Sequence, residues 1–294
     1  MSDPKLYEVI IRAEKRAANT IASLLENSEP APLSVSHFET SDKTWQSTAI
    51  YDFAPNLEEF EQHIQTSLEL ASSTFQLAIK QVENKDWVSH VQSNLSPVEA
   101  GRFFIYGSHD KPQAEGKSFS IEINAAQAFG TAHHGTTKGC LIAIDQCAQN
   151  LSPKTILDLG TGTGILAIAA SQMWPQAKVI ASDIDPIAIK VAQDNSELNH
   201  ANQNMTCICA DGLTDKAIAN VAPYDLIIAN ILAKPLLTMA PGIFQTLGNN
   251  ASLILSGILE TQADDIIKCY QANGLTHKST NQYDEWVTIL FKKN

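Results

Sequence analysis

The sequence predicts an α/β protein in which a large, mostly parallel sheet with a C-terminal antiparallel hairpin follows a smaller α+β domain. From Lys154 onward, strand patterns alternate with helix patterns, which is the order that a parallel sheet covered by helices requires. After Gly274, two strand patterns follow one another with no helix between them, so we expect an antiparallel pair. Residues 5–82 carry a strand–helix–strand order twice, which predicts a separate small sheet.

The N-terminal patterns add up to a βαββαβ order. Strand patterns cover residues 6–13, 33–39, 45–53 and 74–82, and helix patterns cover 14–27 and 57–70. This order predicts a ferredoxin-like domain, in which one antiparallel sheet carries both helices on the same face. We place this domain at residues 1–83 and a linker at 84–97, where periodicity is weak and Pro97 disfavours a continuing helix.

The second domain, residues 98–294, contains the large sheet. Its strand patterns cover 154–159, 177–182, 205–210, 224–229, 251–256, 275–282 and 285–292, and its helix patterns cover 140–148, 164–173, 186–198, 233–247 and 260–272. A mostly parallel sheet with a closing hairpin resembles the seven-stranded, Rossmann-like methyltransferase fold. A six-stranded dinucleotide-binding fold would need another crossover helix before its last strand.

Composition and charge limit the class of protein. The 294 residues are 44% hydrophobic and 18% charged, which is typical of globular domains and not of disordered chains. No basic N-terminal region leads into an apolar segment, and no run approaches the ~18 apolar residues of a membrane helix. A net charge of −12 disfavours a protein that grips nucleic acid. We therefore expect a cytoplasmic protein without membrane or direct nucleic-acid contacts.

The five cysteines predict neither a disulfide framework nor a structural zinc site, because their number is odd and no C-x-x-C pair occurs. Cys207 and Cys209 alternate within a strand pattern and therefore share one face. We predict that both are buried, reduced core thiols.

The run from Ile156 to Ala167, ILDLGTGTGILA, is the strongest local signal for a ligand site. A strand here enters a glycine-rich turn that opens a helix. Glycines let a ligand approach the backbone, and helix-start N–H groups can meet its polar atoms. The candidate cofactor-binding residues are Gly160, Gly162 and Gly164. Their G-x-G-x-G spacing differs from the G-x-G-x-x-G of nicotinamide-binding turns, so a different nucleotide-like cofactor is favoured.

Acidic residues follow the next two strand patterns. Asp183 ends the second strand ~20 residues beyond the glycines, where a carboxylate recognises ribose hydroxyls. Asp185 precedes Pro186, and we interpret it as the N-cap of the following helix. Asp211-Gly212 follows the third strand, where Asp211 either approaches an adenine ring or belongs to a plain turn.

Asn230 ends the fourth strand pattern, at the edge where open α/β sheets place ligands. Its amide both donates and accepts hydrogen bonds, so it is a candidate for orienting an incoming amine. The alternative is a cap for the next helix. Ile-Leu-Ala follows Asn230, so the chain lacks the Pro-Pro-aromatic clamp of enzymes that methylate adenine or glutamine.

The segment from Ala128 to Thr137, AFGTAHHGTT, is small and polar and precedes a helix pattern. We expect it to close over the cofactor, with Thr137 hydrogen-bonding to it and with Phe129 and Gly130 as further contacts. A helix cap is the alternative for this threonine. Adjacent histidines cannot both face one metal ion along a helix, which disfavours a metal site. His134 is a candidate proton acceptor.

Four motifs, in order, resemble those of the bacterial methyltransferases of ribosomal large-subunit protein 11. They are F-G-T-x-x-H-x-T-T at 129–137, D-L-G-T-G-T-G-I-L-A-I-A-A from Asp158, D-I-D-P from Asp183 and N-I-L-A-x-P-L from Asn230. Asp86-Trp87 and P-V-E-A-G-R from Pro97 extend the resemblance to residues 86–294, whereas the first 82 residues match in element order alone. The chain departs from the family at 132–135, where Ala-His-His-Gly stands in place of the frequent G-T-H-P.

The resemblance implies that S-adenosylmethionine is the methyl donor and that Thr137, Gly160, Asp183 and Asn230 contact it. It also implies that ribosomal large-subunit protein 11 is the substrate, methylated at its α-amine and lysine side chains and gripped by the ferredoxin-like domain. We expect a monomeric enzyme acting on that protein before ribosome assembly. The alternatives are a methyltransferase for RNA or a small molecule, a nicotinamide-dependent oxidoreductase, and a non-catalytic adaptor that retains a cofactor fold.

Overall fold

The computed structural model describes residues 6–26, 28, 30–32, 34–40, 44–68, 75–82, 97–114, 116–123 and 134–294. These residues fall into two compact units, one within residues 6–82 and one from residue 97 onward. Residues 84–96 of the expected linker lie outside the described ranges.

The N-terminal unit consists of β1 (Leu6–Ala13), α1 (Lys15–Glu26), β2 (Ser34–Glu39), β3 (Trp45–Tyr51), α2 (Leu57–Leu68) and β4 (Phe75–Val82). Its strands form an antiparallel sheet in the order β2-β3-β1-β4. Val9 and Ile11 alternate along β1 and therefore share a face, and they are buried in one cluster with Ile21 of α1 and Ile64 of α2. Both helices therefore cover the same face, and the predicted ferredoxin-like arrangement is confirmed.

The second unit begins with a small sheet that the sequence patterns did not predict. It consists of β5 (Val98–Ala100), β6 (Phe103–Tyr106) and β7 (Phe119–Glu122). β5 and β6 are antiparallel, and β6 and β7 are parallel. Strands this short contain too few residues for an alternating pattern to stand out from the surrounding chain.

A seven-stranded sheet follows. Its strands are β8 (Thr155–Leu159), β9 (Lys178–Asp183), β10 (Met205–Cys209), β11 (Tyr224–Asn230), β12 (Leu247–Leu259), β13 (Leu275–Tyr283) and β14 (Trp286–Lys293). The helices are α3 (His134–Cys147), α4 (Ile165–Met173), α5 (Pro186–Leu198), α6 (Lys216–Ala219), α7 (Ala233–Thr246) and α8 (Ala263–Ala272). Among the residues that the structure describes, no helix is both long and apolar enough to cross a bilayer.

The strand order is β10-β9-β8-β11-β12-β14-β13. The first five strands in this order are parallel, and β14 is antiparallel to both of its neighbours, as the sequence predicted. Four consecutive residues of β11, Leu226 to Ala229, are fully buried, because helices cover both faces of a parallel sheet. The chain order reverses between β8 and β11, and such a reversal opens a crevice at the carboxyl ends of the two strands.

Helix α3 begins at His134, well before the predicted start at Cys140. The small, polar segment at 128–137 predicts a loop instead, and glycine disfavours helices. In the structure, Gly139 lets the helix approach the C-terminal hairpin, because a Cβ there would overlap Thr288 Oγ1 and crowd the ring of Tyr283. Packing against the hairpin therefore outweighs the low helix propensity of glycine.

The prediction that Cys207 and Cys209 are both buried is wrong. Cys209 is exposed and Cys207 is half-buried, although all five cysteines are free thiols. These two lie on β10, which is an edge strand with a neighbour on one side alone. Alternation along the strand placed them on one face but carried no information about how well that face is covered.

Asn199 follows α5 and joins the end of this helix to the small sheet. Its Oδ1 accepts a hydrogen bond from Glu122 N at 2.8 Å, and its Nδ2 donates one to Glu122 O at 2.7 Å. The side-chain amide thus pairs with the last residue of β7 as a neighbouring strand would.

Replacing Asn199 with alanine is expected to lower the free energy of unfolding by about 2–3 kcal/mol, because two backbone groups of Glu122 lose their partner. Urea unfolding followed by circular dichroism measures this change. The control is Gln193→Ala at an exposed position of α5, where we expect a change within about 0.5 kcal/mol. Equal losses in the two variants would contradict a linking role for Asn199.

Candidate active site

Three of the predicted site features lie at the carboxyl ends of three adjacent strands. The glycine loop, Gly160–Gly164, directly follows β8, while Asp183 and Asn230 are the last residues of β9 and β11. β8 lies between β9 and β11 in the sheet. The residues therefore lie where the strand order reverses, which is where open α/β sheets bind ligands.

The glycine loop has a fixed shape. Gly160, Gly162 and Gly164 have φ angles of 72°, 54° and 83°, which a residue with a Cβ adopts at a cost. Ser182 O accepts hydrogen bonds from Gly160 N at 2.8 Å and Thr161 N at 2.9 Å. The loop is thereby tied to the neighbouring strand β9.

Asp183 is bonded to the same loop. Its Oδ2 accepts a hydrogen bond from Gly162 N at 2.9 Å, and its Oδ1 accepts one from Asp185 N at 3.1 Å. A carboxylate oxygen has two lone pairs, so each oxygen can still accept a bond from a hydroxyl group. The half-buried carboxylate is thus held in place and retains the capacity to bind a ribose.

Asp185 has the structural role expected for it. Its Oδ1 accepts a hydrogen bond from Ile187 N at 2.8 Å, and Pro186 is the first residue of α5. Asp185 is therefore the N-cap of this helix.

Asp158 on β8 was missed as a candidate residue. It is 1% exposed, and its Oδ2 accepts hydrogen bonds from Thr161 Oγ1 at 2.6 Å and Ala167 N at 3.0 Å. Its Oδ1 has no hydrogen-bond partner among the described residues. Burial raises the pKa of this carboxyl to about 7, and the nearby carboxylate of Asp183 adds to the increase. An acidic residue within an otherwise apolar strand pattern was the signal that could have identified it.

Asn230 is held by the packing of the residue that follows it. A Cβ at Gly160 would overlap Ile231 Cγ2, and a Cβ at Gly257 would overlap Ile231 O. The chain after Asn230 is therefore enclosed by two residues that lack side chains. The alternative that Asn230 caps α7 is wrong, because Leu232 is the N-cap and no side chain caps this helix.

The structure describes some of the remaining candidate residues and leaves others outside the described ranges. Asp211 is exposed and directly precedes a short 3-10 helix, to which its side chain makes no capping hydrogen bond. A plain turn fits its backbone, and an adenine contact stays a prediction. Thr137 is half-buried inside the first turns of α3, so the alternative that it caps this helix is wrong. Phe129 and Gly130 lie outside the described residues, as does the side chain of His134.

The surroundings of the loop suit an adenosine group. A Cβ at Gly162 would meet no atom within 4 Å, so the loop faces open space. Ile184 and Leu232 lie just beyond the ends of β9 and β11 and are 66% and 64% exposed. Apolar surface beside a carboxylate that can accept further bonds is typical of sites for small cofactors. No cluster of three or more His, Cys, Asp and Glu side chains within the described ranges is arranged to hold a metal ion.

The fold and this site together define the class to which the protein belongs. A parallel sheet closed by an antiparallel hairpin, with a glycine loop and an acidic strand end at the point of reversal, makes the protein a Rossmann-like methyltransferase.

Comparisons with known proteins identify the family. The family model described as ribosomal protein L11 methyltransferase (PrmA) matches residues 5–294. The chain therefore belongs to the ribosomal protein L11 methyltransferase family, and its methyl donor is S-adenosylmethionine. A relative of that name from Bradyrhizobium diazoefficiens is 39% identical over 285 residues, which cover 96% of this chain and 95% of the relative.

Two further similar proteins agree with this family. A ribosomal protein L11 methyltransferase from Brucella suis is 45% identical over 207 residues, covering 70% of this chain and 72% of the relative. The crystal structure of a ribosomal protein L11 methylase from Lactobacillus delbrueckii subsp. bulgaricus is 27% identical. It superposes with a TM-score of 0.59 over 68% of this chain and 100% of that one.

Proposed function

We propose that the protein transfers methyl groups from S-adenosylmethionine to the lysine side chains and the N-terminal amine of ribosomal protein L11. The observation that carries this proposal is the hydrogen bond between Gly162 N and Asp183 Oδ2, with Asn230 on a nearby strand end. It joins the loop and the acid into one rigid donor site beside a residue that can orient an amine. The name of a relative that matches nearly the whole chain supports L11 as the substrate.

The proposed donor site assigns a task to each residue. S-Adenosylmethionine supplies, when bound, a methyl group on a positively charged sulfur. The backbone of Gly160–Gly164 accommodates the donor without steric hindrance, and Asp183 accepts hydrogen bonds from its ribose hydroxyls. Thr137 and Asp211 are further proposed contacts, as are Phe129 and Gly130.

On the acceptor side, Asn230 orients the amine through its side-chain oxygen, and the enzyme contributes mainly proximity and alignment. The amine must be neutral to react. A lysine pKa of about 10.4 lies ~3.4 units above pH 7, so neutralisation costs about 4.6 kcal/mol. Removal of the amine from water offsets part of this cost, and we propose His134 as the proton acceptor.

We propose that residues 1–83 recognise L11 and that residues 98–294 carry out catalysis. The net charge of −12 suits a basic protein partner. We further propose that the monomeric enzyme acts in the cytoplasm on L11 that has not yet entered the ribosome.

The test combines purified protein with labelled S-adenosylmethionine and a mixture of L11 and ribosomal RNA. We expect label on lysine and N-terminal amines of L11, located by mass spectrometry of its peptides. Replacing Asn230 with alanine should lower kcat by about 10²-fold, because alignment of the amine is lost. The matched control is Asn220→Ala, an exposed asparagine after α6, which should leave kcat unchanged.

The outcomes separate the competing functions. Label on RNA would replace the protein substrate with a nucleic acid. Donor binding without label on either acceptor would support an adaptor or an enzyme for a small molecule. An Asn230→Ala enzyme as active as the Asn220→Ala enzyme would remove Asn230 from the reaction.

A further inference from the structure

Asp158 has a buried carboxyl group whose two oxygens differ in their hydrogen bonding. Oδ2 accepts both hydrogen bonds, from Thr161 Oγ1 in the glycine loop and from Ala167 N in the first turn of α4. Oδ1 is buried and has no hydrogen-bond partner among the described residues. None of the ion pairs between described residues includes Asp158. A carboxylate in such a position is costly, and it lowers that cost by binding a proton or a cation.

The titratable neighbours of Asp158 favour the protonated form. Asp183 on β9 places a second carboxylate near it, which disfavours two negative charges. The thiols of Cys140 on α3 and Cys207 on β10 also interact with its charge, and burial raises the pKa of each thiol, so both stay neutral at pH 7. The protein alone thus holds the carboxyl near the midpoint of its titration at neutral pH, since burial raises its pKa to about 7.

Within the part of the chain that the structure describes, the other elements packed on β8 add no titratable group beside Asp158. α4, Ile165–Met173, contains no titratable residue. On β11 the titratable residues Tyr224 and Asp225 begin the strand, whereas Asp158 pairs with Ile228 near its end. Asp225 Oδ2 instead accepts hydrogen bonds from the backbone at the start of β8.

We propose that Asp158 carries a proton in a large part of the free protein at neutral pH and releases this proton to solvent when S-adenosylmethionine binds. The inference rests on the donor site described above. The sulfur of the donor carries a positive charge, whereas the sulfur of the product, S-adenosylhomocysteine, is neutral. The negative charge of an ionised Asp158 is therefore balanced by the positive sulfur in the donor complex. In the product complex the neutral sulfur does not balance it. Asp158 thereby distinguishes the donor from the product by their charge. When Asp158 takes up a proton again, release of the product is favoured.

The proposal predicts that donor affinity depends on pH. For a group of pKa about 7 that must lose its proton on binding, affinity is about tenfold lower at pH 6 than at pH 8. Titration calorimetry in buffers of different ionisation enthalpy measures the affinity and the number of protons released. For S-adenosylmethionine at pH 6 we expect nearly one proton more from the wild type than from Asp158→Asn, and for S-adenosylhomocysteine a smaller difference.

Comparison with Asp158→Asn removes the protons that the ligand's own amine releases, because both proteins include that contribution equally. Equal proton release by the two proteins, or an equal excess with both ligands, would overturn the proposal. Failure of S-adenosylmethionine to bind the wild type at any pH would overturn the donor site itself, so the two failures are distinguishable.

A second variant keeps the test decisive should Asp158→Asn fold poorly. Thr161→Val removes a donor that stabilises the ionised Asp158, so the pH midpoint of proton release should move to higher pH. The matched control is Thr206→Val at an exposed position of β10, which should leave the midpoint unchanged. An unshifted midpoint in Thr161→Val would contradict the assignment of the proton to Asp158.

Discussion

Replacing Asp183 with asparagine is expected to weaken S-adenosylmethionine binding by at least about 100-fold. The native carboxylate accepts one hydrogen bond on each oxygen, from Gly162 N and from Asp185 N. An asparagine amide has one accepting oxygen, so its NH₂ group must face one of these N–H donors. Hydrogen bonds to charged groups contribute about 1.5–3 kcal/mol each, and both the loop contact and the ribose contacts are weakened. Asp183→Ala, which removes both acceptors, should abolish measurable binding.

Titration calorimetry with S-adenosylmethionine measures the effect, and Asp185→Asn is the matched control. It removes the same charge two residues away, where the side chain caps α5 and asparagine caps a helix as well as aspartate does. We expect the affinity of this control to stay within about twofold of the wild type. Unchanged affinity in Asp183→Asn would remove Asp183 from ribose recognition.

Replacing Gly160 with alanine is expected to lower the rate of methyl transfer by about 10²-fold. The φ angle of 72° at this residue strains any side chain by about 1–2 kcal/mol. The added Cβ would also overlap Ile231 Cγ2, and isoleucine cannot move it freely because its χ1 is restricted. Relief of the overlap displaces the glycine loop or the chain beside Asn230. Misplacement of reacting groups by about 1 Å suffices for a loss of this size.

Single-turnover kinetics with L11 and urea unfolding separate this effect from a loss of stability. The control is Gly116→Ala, where φ is 79° and a Cβ would meet nothing within 4 Å. Gly116→Ala should lose about 1–2 kcal/mol of unfolding free energy and keep the wild-type rate. Gly160→Ala should lose at least as much stability, because the overlap with Ile231 adds to the backbone strain, and should also lose rate. Trimming the overlapped side chain in the double variant Gly160→Ala/Ile231→Ala should restore part of the rate. A Gly160→Ala enzyme with the wild-type rate would show that this contact does not position the site.

Most of the fold could be predicted from the sequence because long, periodic segments produce it. The alternation from Lys154 onward and the final hairpin both appear in the structure. Features set by tertiary packing could not be predicted in this way. The start of α3 depends on the approach of the hairpin to Gly139, and the exposure of Cys209 depends on the position of β10 at the sheet edge.

The candidate site also combines features that sequence patterns show with features that depend on tertiary packing. The glycine loop and Asp183 could be predicted because glycine spacing and an acid at a strand end are visible in the sequence. Their direct hydrogen bond could not, because it depends on how β8 and β9 align. The role of Asp158 depends on burial and on the geometry of Thr161, which sequence patterns do not report.

A crystal structure of the protein with S-adenosylmethionine tests the donor site most directly. We expect the ribose hydroxyls on the Asp183 carboxylate and the donor against the backbone of Gly160–Gly164, with its methyl group directed toward Asn230. Electron density for the donor elsewhere, or for NAD in this crevice when both ligands are offered, would contradict the assignment of these residues to a methyl donor.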